Sequence, residues 1–133
     1  MAQNLKLEVV TPEKAVINEE VQIVVAPGSL GEFGILAGHT PFLSTLKTGV
    51  LRYKDTGGSE HFIFVSSGFA EALPDKVTIL AESAERRRDI DVERAKSALE
   101  RARKRLEKKK EDMDFIRARA ALERAIHRMN IVN

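Results

Sequence analysis

The 133-residue chain contains no cysteine, which excludes disulfides, thiolate zinc sites and a cysteine nucleophile. No stretch approaches the roughly 18 consecutive apolar residues that a membrane-spanning helix needs. The start, Met1-Ala2-Gln3-Asn4-Leu5-Lys6, lacks a basic run leading into an apolar run, so no secretory signal is expected. A soluble, cytosolic chain is the expectation. Catalytic patterns are also missing: there is no nucleophile elbow and no His-Glu-x-x-His. His39, His61 and His127 are scattered without neighbours at metal-ligand spacing, so neither catalytic nor metal-binding residues are expected.

One scarcity is local. All 8 Gly and all 4 Pro lie before residue 75. Charge divides at nearly the same place: residues 1–84 carry a net −4 and residues 85–133 a net +6, within a whole-chain charge of +2. Two units are therefore expected, 1–84 turn-rich and 85–133 free of helix breakers. Hydrophobic residues make up 43%, enough to build a core.

The first unit reads as short strands. Leu5, Leu7 and Val9 alternate with polar residues, and Val21, Ile23 and Val25 repeat the pattern before Pro27-Gly28. Val50 to Lys54 and His61 to Val65 flank Asp55-Thr56-Gly57-Gly58-Ser59-Glu60, a hairpin signal, and Lys76 to Ala81 follows the turn at Pro74-Asp75. Close punctuation of this kind predicts an antiparallel β-sandwich or flattened barrel. Gly28 to Phe42 reads as a strand connection with tight turns that places Glu32 at an exposed tip. No Lys-Ser/Thr pair follows its glycines, so it is not a P-loop.

The second unit reads as an antiparallel two-helix hairpin, giving an α+β chain overall. Val92, Ala95, Leu99, Ala102 and Leu106 form one narrow apolar seam; Phe115, Ala118, Leu122, Ala125 and Met129 repeat its spacing. Asp89 or Asp91 can cap the first helix and Asp112 or Asp114 the second. A reversal near Lys108–Asp114 pairs Leu106 with Phe115, Leu99 with Leu122 and Val92 with Met129. Alanine contributes far less than the roughly 1.5–3 kcal/mol of a buried Leu or Phe, so the hairpin is expected to be mobile and stable mainly when docked. The same register brings Arg94, Arg101, Arg124 and Arg128 to similar heights beside Asp91. Guanidinium forks match phosphate oxygens, and a carboxylate accepts from an amine or hydroxyl. The competing reading is a solvated charged face. Nucleic-acid binding is not expected: the hairpin's only aromatic, Phe115, sits on the seam and leaves no stacking platform.

The ordered segments Thr11-Pro12, Gly31-Glu32-Phe33-Gly34-Ile35-Leu36, Gly38-His39-Thr40-Pro41, Ser66-Ser67-Gly68-Phe69, Val77-Thr78-Ile79-Leu80-Ala81 and Ile90-Asp91-Val92-Glu93-Arg94-Ala95 resemble the epsilon-subunit family of bacterial F-type ATP synthases from end to end. The resemblance implies a non-catalytic central-stalk subunit, peripheral to the cytoplasmic face of the inner membrane. Its sandwich would bind the gamma subunit and the c-subunit ring, with Glu32 and His39 as partner contacts. Its hairpin would switch between a folded form and one extended toward the alpha/beta catalytic head that restrains ATP hydrolysis. No cofactor is implied, but ATP is implied as a regulatory ligand of the folded form, held by Glu85, Ile90, Asp91, Arg94, Ala95, Arg101, Arg124 and Arg128. The alternatives from the residues alone are a free-standing ATP sensor or a nucleic-acid-binding helical adaptor.

Overall fold

A computed structural model describes residues 3–108 and 112–133, with the side chains of residues 112–114 outside that description. The strands are β1 (Leu5–Val10), β2 (Ala15–Gly28), β3 (Gly31–Leu36), β4 (Phe42–Leu46), β5 (Gly49–Asp55), β6 (Glu60–Leu73) and β7 (Lys76–Arg86). A 3-10 turn at Arg87–Asp89 leads to α1 (Val92–Glu107) and α2 (Asp112–Val132). This is the β-sandwich and helical pair expected from the sequence.

The strands pair β1–β2, β2–β5, β5–β6, β6–β7 and β7–β1, closing a ring; β3 adds to β2, and β4 bridges β2 and β6. All pairings are antiparallel except β1–β7, which is parallel. The 14-residue strands β2 and β6 serve both sides of the sandwich. β6 pairs with β5 through Val65 and with β4 from Gly68 onward. At this change of partner Ser67 has φ 27° and Gly68 φ 147°, and a Cβ on Gly68 would lie 1.9 Å from the Leu80 carbonyl oxygen. Only glycine permits that approach.

Two strand expectations need correction. Gly28 to Phe42 contains β3, which pairs with β2 from Ile23↔Leu36 to Gly28↔Gly31, so Glu32 sits on an edge strand and not at a loop tip. Gly28 and Gly31 close this hairpin without side-chain obstruction. In β2, the alternation of Val21, Ile23 and Val25 is broken by an irregularity between Val21 and Ile23. Val21, Val24 and Ala26 face the core, while Ile23 and Val25 are half-buried. The extra residue shifts the inward set by one.

β7 continues through Glu85 and Arg86, which pair with Phe64 and Ile63. The structural division therefore falls at the 3-10 turn of Arg87–Asp89, just past residue 84. The β5–β6 turn follows the predicted hairpin. Its Asp55 Oδ1 accepts from the Gly57 and Ser59 amides at 2.9 Å each, and Oδ2 pairs with His61 Nε2 at 2.8 Å. The His61 bond, followed by the Ser59 amide, holds the Asp55 carboxyl below the usual carboxylate range.

The helices pack with alanine at their contact: Ala95, Ala102, Ala118 and Ala125 are the seam residues that are fully buried. Leu99, Leu106 and Leu122 are only partly covered, and Phe115 is 44% exposed. Small side chains let the backbones approach, so the larger seam residues are displaced toward the rims. The capping of α2 by Asp112 or Asp114, and the reversal at 109–111, lie outside the described residues. The hairpin docks through a second apolar cluster: Phe64, Ile90 and Ile131, flanked by Val50, Phe62 and Val132. Ile63 and Val65 point into the sandwich core, so strand alternation turns Phe64 toward the helices. Three buried side chains at roughly 1.5–3 kcal/mol each make a modest interface.

Candidate functional site

Where α1 begins, Asp91 is the N-cap and its Oδ1 accepts from the Arg94 amide at 3.1 Å. This resolves the choice between Asp89 and Asp91, and it fixes the Asp91 carboxylate at the positive end of the helix. Arg94, Arg101 and Arg105 repeat along one face of α1, and Arg124 and Arg128 lie one turn apart on α2. Arg94 from the start of α1 and Arg128 from the end of α2 line the same cavity, which requires antiparallel helices.

That cavity has a volume of about 650 Å³ and is walled by Glu85, Asp89, Asp91, Arg94, Ala95, Ala98, Arg101, Ala102, Arg105, Ala121, Arg124 and Arg128. Five arginines face three carboxylates. Arg128 is committed: its Nε donates to Glu85 Oε2 at 2.6 Å, and its guanidinium carbon lies 4.1 Å from the centroid of the Phe64 ring. Among the described residues, Arg94, Arg101, Arg105 and Arg124 form no salt bridge. Alanines on both helices leave room between the guanidinium groups. Such a hollow suits a polyanion, with Asp91 and Asp89 available to accept from its donor groups.

Of the residues expected together, Glu85, Asp91, Arg94, Ala95, Arg101, Arg124 and Arg128 do line this cavity. Ile90 does not; it is buried against Phe64 and Ile131, because an apolar side chain beside Asp91 finds the docking cluster. Asp89, Ala98, Arg105 and Ala121 are additional wall residues. Arg105 carried a readable signal, one turn beyond Arg101 and on the face of Arg94. The Glu85–Arg128 bridge carried none in local spacing, since it joins residues 43 positions apart; only the family resemblance set the two in one site.

The two expected partner contacts lie on the sandwich, away from this cavity's wall. Glu32 is exposed on β3 and paired with Arg52 at 3.2 Å. His39 follows β3, its ring edge-on to Phe42 at 4.7 Å, with a buried Nδ1 lacking a partner among the described residues. On the outer face of β4, β6 and β7, Leu43, Phe69, Leu73 and Leu80 form an exposed apolar strip, and Phe69 and Leu80 are direct cross-strand neighbours. Among the described residues no helix is long and apolar enough to cross a membrane.

Residues 4–87 match the family described as ATP synthase, Delta/Epsilon chain, beta-sandwich domain, and residues 88–133 the companion long alpha-helix domain. The ATP synthase epsilon chain of Desulfosudis oleivorans is 65% identical over 107 residues, covering 80% of each chain. That of Desulfatibacillum aliphaticivorans is 64% identical over 109 residues, covering 82% of this chain and 77% of its own. A chain of the Euglena gracilis mitochondrial ATP synthase, from a cryo-EM structure of its OSCP/F1/c-ring assembly, superposes with a TM-score of 0.85 at 26% identity, covering 98% of this chain and 82% of that one. The fold, the hairpin and these similarities define a stalk component of a rotary ATP synthase. The chain belongs to the ATP synthase delta/epsilon family, as an epsilon subunit of the F-type enzymes. It is a non-catalytic central-stalk subunit.

Proposed function

We propose that this epsilon subunit couples proton transport to ATP synthesis within the central stalk and restrains ATP hydrolysis through its helical hairpin. The sandwich docks on the gamma subunit through the Leu43–Phe69–Leu80 strip, an apolar surface of the kind that marks a protein interface. The β2–β3 edge, with Glu32 and the adjoining His39 segment, faces the polar loops of the c ring. The subunit is thereby peripheral to the cytoplasmic face of the bacterial inner membrane.

In the closed hairpin ATP occupies the arginine-walled cavity, its triphosphate between Arg94, Arg101 and Arg124, with Asp91 accepting from an amine or hydroxyl. The observation that carries this reading is the convergence of four guanidinium groups, unpaired among the described residues, from two helices onto one hollow. Their mutual repulsion is relieved by a polyanion. In the extended form the helices separate and approach the alpha/beta head, so the pocket is lost. ATP then favours the closed form by its differential affinity for the two shapes.

Calorimetry of ATP binding to the isolated chain tests this. Arg124→Ala and Asp91→Asn, the latter keeping a capping side chain, are expected to weaken binding; unchanged binding in both removes the site. Truncation after Arg88 is expected to leave a sandwich that assembles with gamma and to relieve inhibition of hydrolysis. A truncated complex as inhibited as the intact one rejects the hairpin as the inhibitory element.

A further inference from the structure

A second cavity, of about 610 Å³, shares no residue with the first. It lies where the end of β7 and the 3-10 turn meet the β5–β6 ladder and the last turn of α2, and its wall includes three consecutive arginines, Arg86, Arg87 and Arg88. Arg86 is fixed by donating Nε and Nη2 to the Val16 carbonyl at 3.3 and 3.2 Å, so its charge is anchored without a carboxylate. Arg87 and Arg88 are exposed and, among the described residues, form no salt bridge. His61, held by Asp55 and stacked on Tyr53 at 4.9 Å, lines the same hollow. Glu60 is the one carboxylate on this wall. Phe62 and Val132 supply an apolar border.

This combination is more than a solvated basic run. One cation is immobilised, two are exposed and adjacent, a fixed imidazole borders them, and the concavity falls within the roughly 300–1,000 Å³ of small-molecule sites. Guanidinium pairs recognise tetrahedral oxyanions through parallel N–H···O bonds, and the single Glu60 leaves the wall with excess positive charge. We propose that this cavity is a second anion site, binding a phosphoryl group through Arg87 and Arg88 with Arg86 behind them. Because Val132 of α2 forms part of the wall, the site is complete only when the hairpin is docked. An anion bound there stabilises the docked form independently of the first cavity.

The test uses the intact chain and calorimetric titration with inorganic phosphate and with adenosine monophosphate. Arg87→Glu/Arg88→Glu, two exposed positions, is expected to weaken phosphate binding by about tenfold or more, with Arg87→Lys/Arg88→Lys intermediate and Arg124→Ala unchanged. Tighter binding of the monophosphate than of phosphate identifies an organic phosphate as the ligand; equal binding identifies the inorganic ion. Absence of phosphate binding at millimolar concentration, wild-type binding by the double glutamate variant, or loss of binding in Arg124→Ala overturns the proposal. The last outcome would place the anion in the first cavity.

Discussion

Arg128 on α2 and Glu85 on β7 meet at 2.6 Å, and the same guanidinium covers the ring of Phe64. One residue thereby belongs to the wall of the arginine cavity and to the junction between hairpin and sandwich. A ligand that drew on the Arg128 charge would therefore also act on the joint.

Glu85→Gln is accordingly expected to loosen the hairpin without melting the sandwich. Both side chains are partly exposed, at 24% and 29%. Loss of a charge-assisted hydrogen bond at such a position costs about 1–2 kcal/mol. Hydrogen exchange would read this as faster exchange of amides in α1 and α2, with β6 and β7 core amides unaffected. Equal loss of protection in both parts would show that the bridge supports the whole fold and not the joint.

Arg105 tests whether the cavity acts as one electrostatic unit. It lines the wall beside Arg101 and forms no salt bridge among the described residues. Arg105→Ala is expected to weaken ATP binding by about tenfold, the scale of one hydrogen bond to a charged group. Arg119→Ala, whose side chain is exposed, pairs with Glu123 and is absent from the wall, serves as the control and is expected to bind as wild type.

Much of this arrangement was legible before the structure. The seam spacing fixes which helical faces meet, and a single antiparallel register puts Arg94, Arg101, Arg124 and Arg128 at related heights. What the sequence could not express was contact between distant segments. Phe64 reads as an ordinary strand residue until the alternation of β6 turns it toward Ile90 and Ile131. Ile90 is a similar case: its place beside Asp91 in a motif says nothing of the docking cluster that its apolar side chain joins. The strand β3 was hidden by glycines, which signal turns but are equally at home where Gly28 and Gly31 close a hairpin. The irregularity in β2 breaks a strict period of two that nothing local forbids.

Gly68 is the point at which β6 exchanges its partners, and it tests the topology directly. A Cβ there would meet the Leu80 carbonyl oxygen at 1.9 Å, with φ at 147°. Gly68→Ala is expected to destabilise the sandwich by about 3–5 kcal/mol, combining backbone strain with a contact that no rotamer relieves. Gly58→Ala has the strain of φ 88° but open space around the Cβ, so about 1–2 kcal/mol is expected. Chemical denaturation of the two variants separates steric from conformational cost. Equal effects would mean that β6 and β7 part easily at this position.

Tyr53, the only tyrosine, is 2% exposed and stacked on His61. Burial, reinforced by the nearby Glu19 carboxylate, pushes its phenol well above the ordinary range. The unfolded chain ionises this group near pH 10 while the folded chain keeps its proton, so above that pH the unfolded state binds fewer protons than the native one. The stability due to Tyr53 is therefore fully present below about pH 10 and declines as the pH rises further. Lysines titrate in the same range, so the informative quantity is the difference from Tyr53→Phe, measured by urea denaturation at successive alkaline pH values. The gap between the two proteins is expected to move steadily against the wild type above about pH 10, with the phenolate absorbance appearing only on unfolding. A constant gap, or phenolate signal in the folded protein, would mean that the β5–β6 turn admits water to this ring.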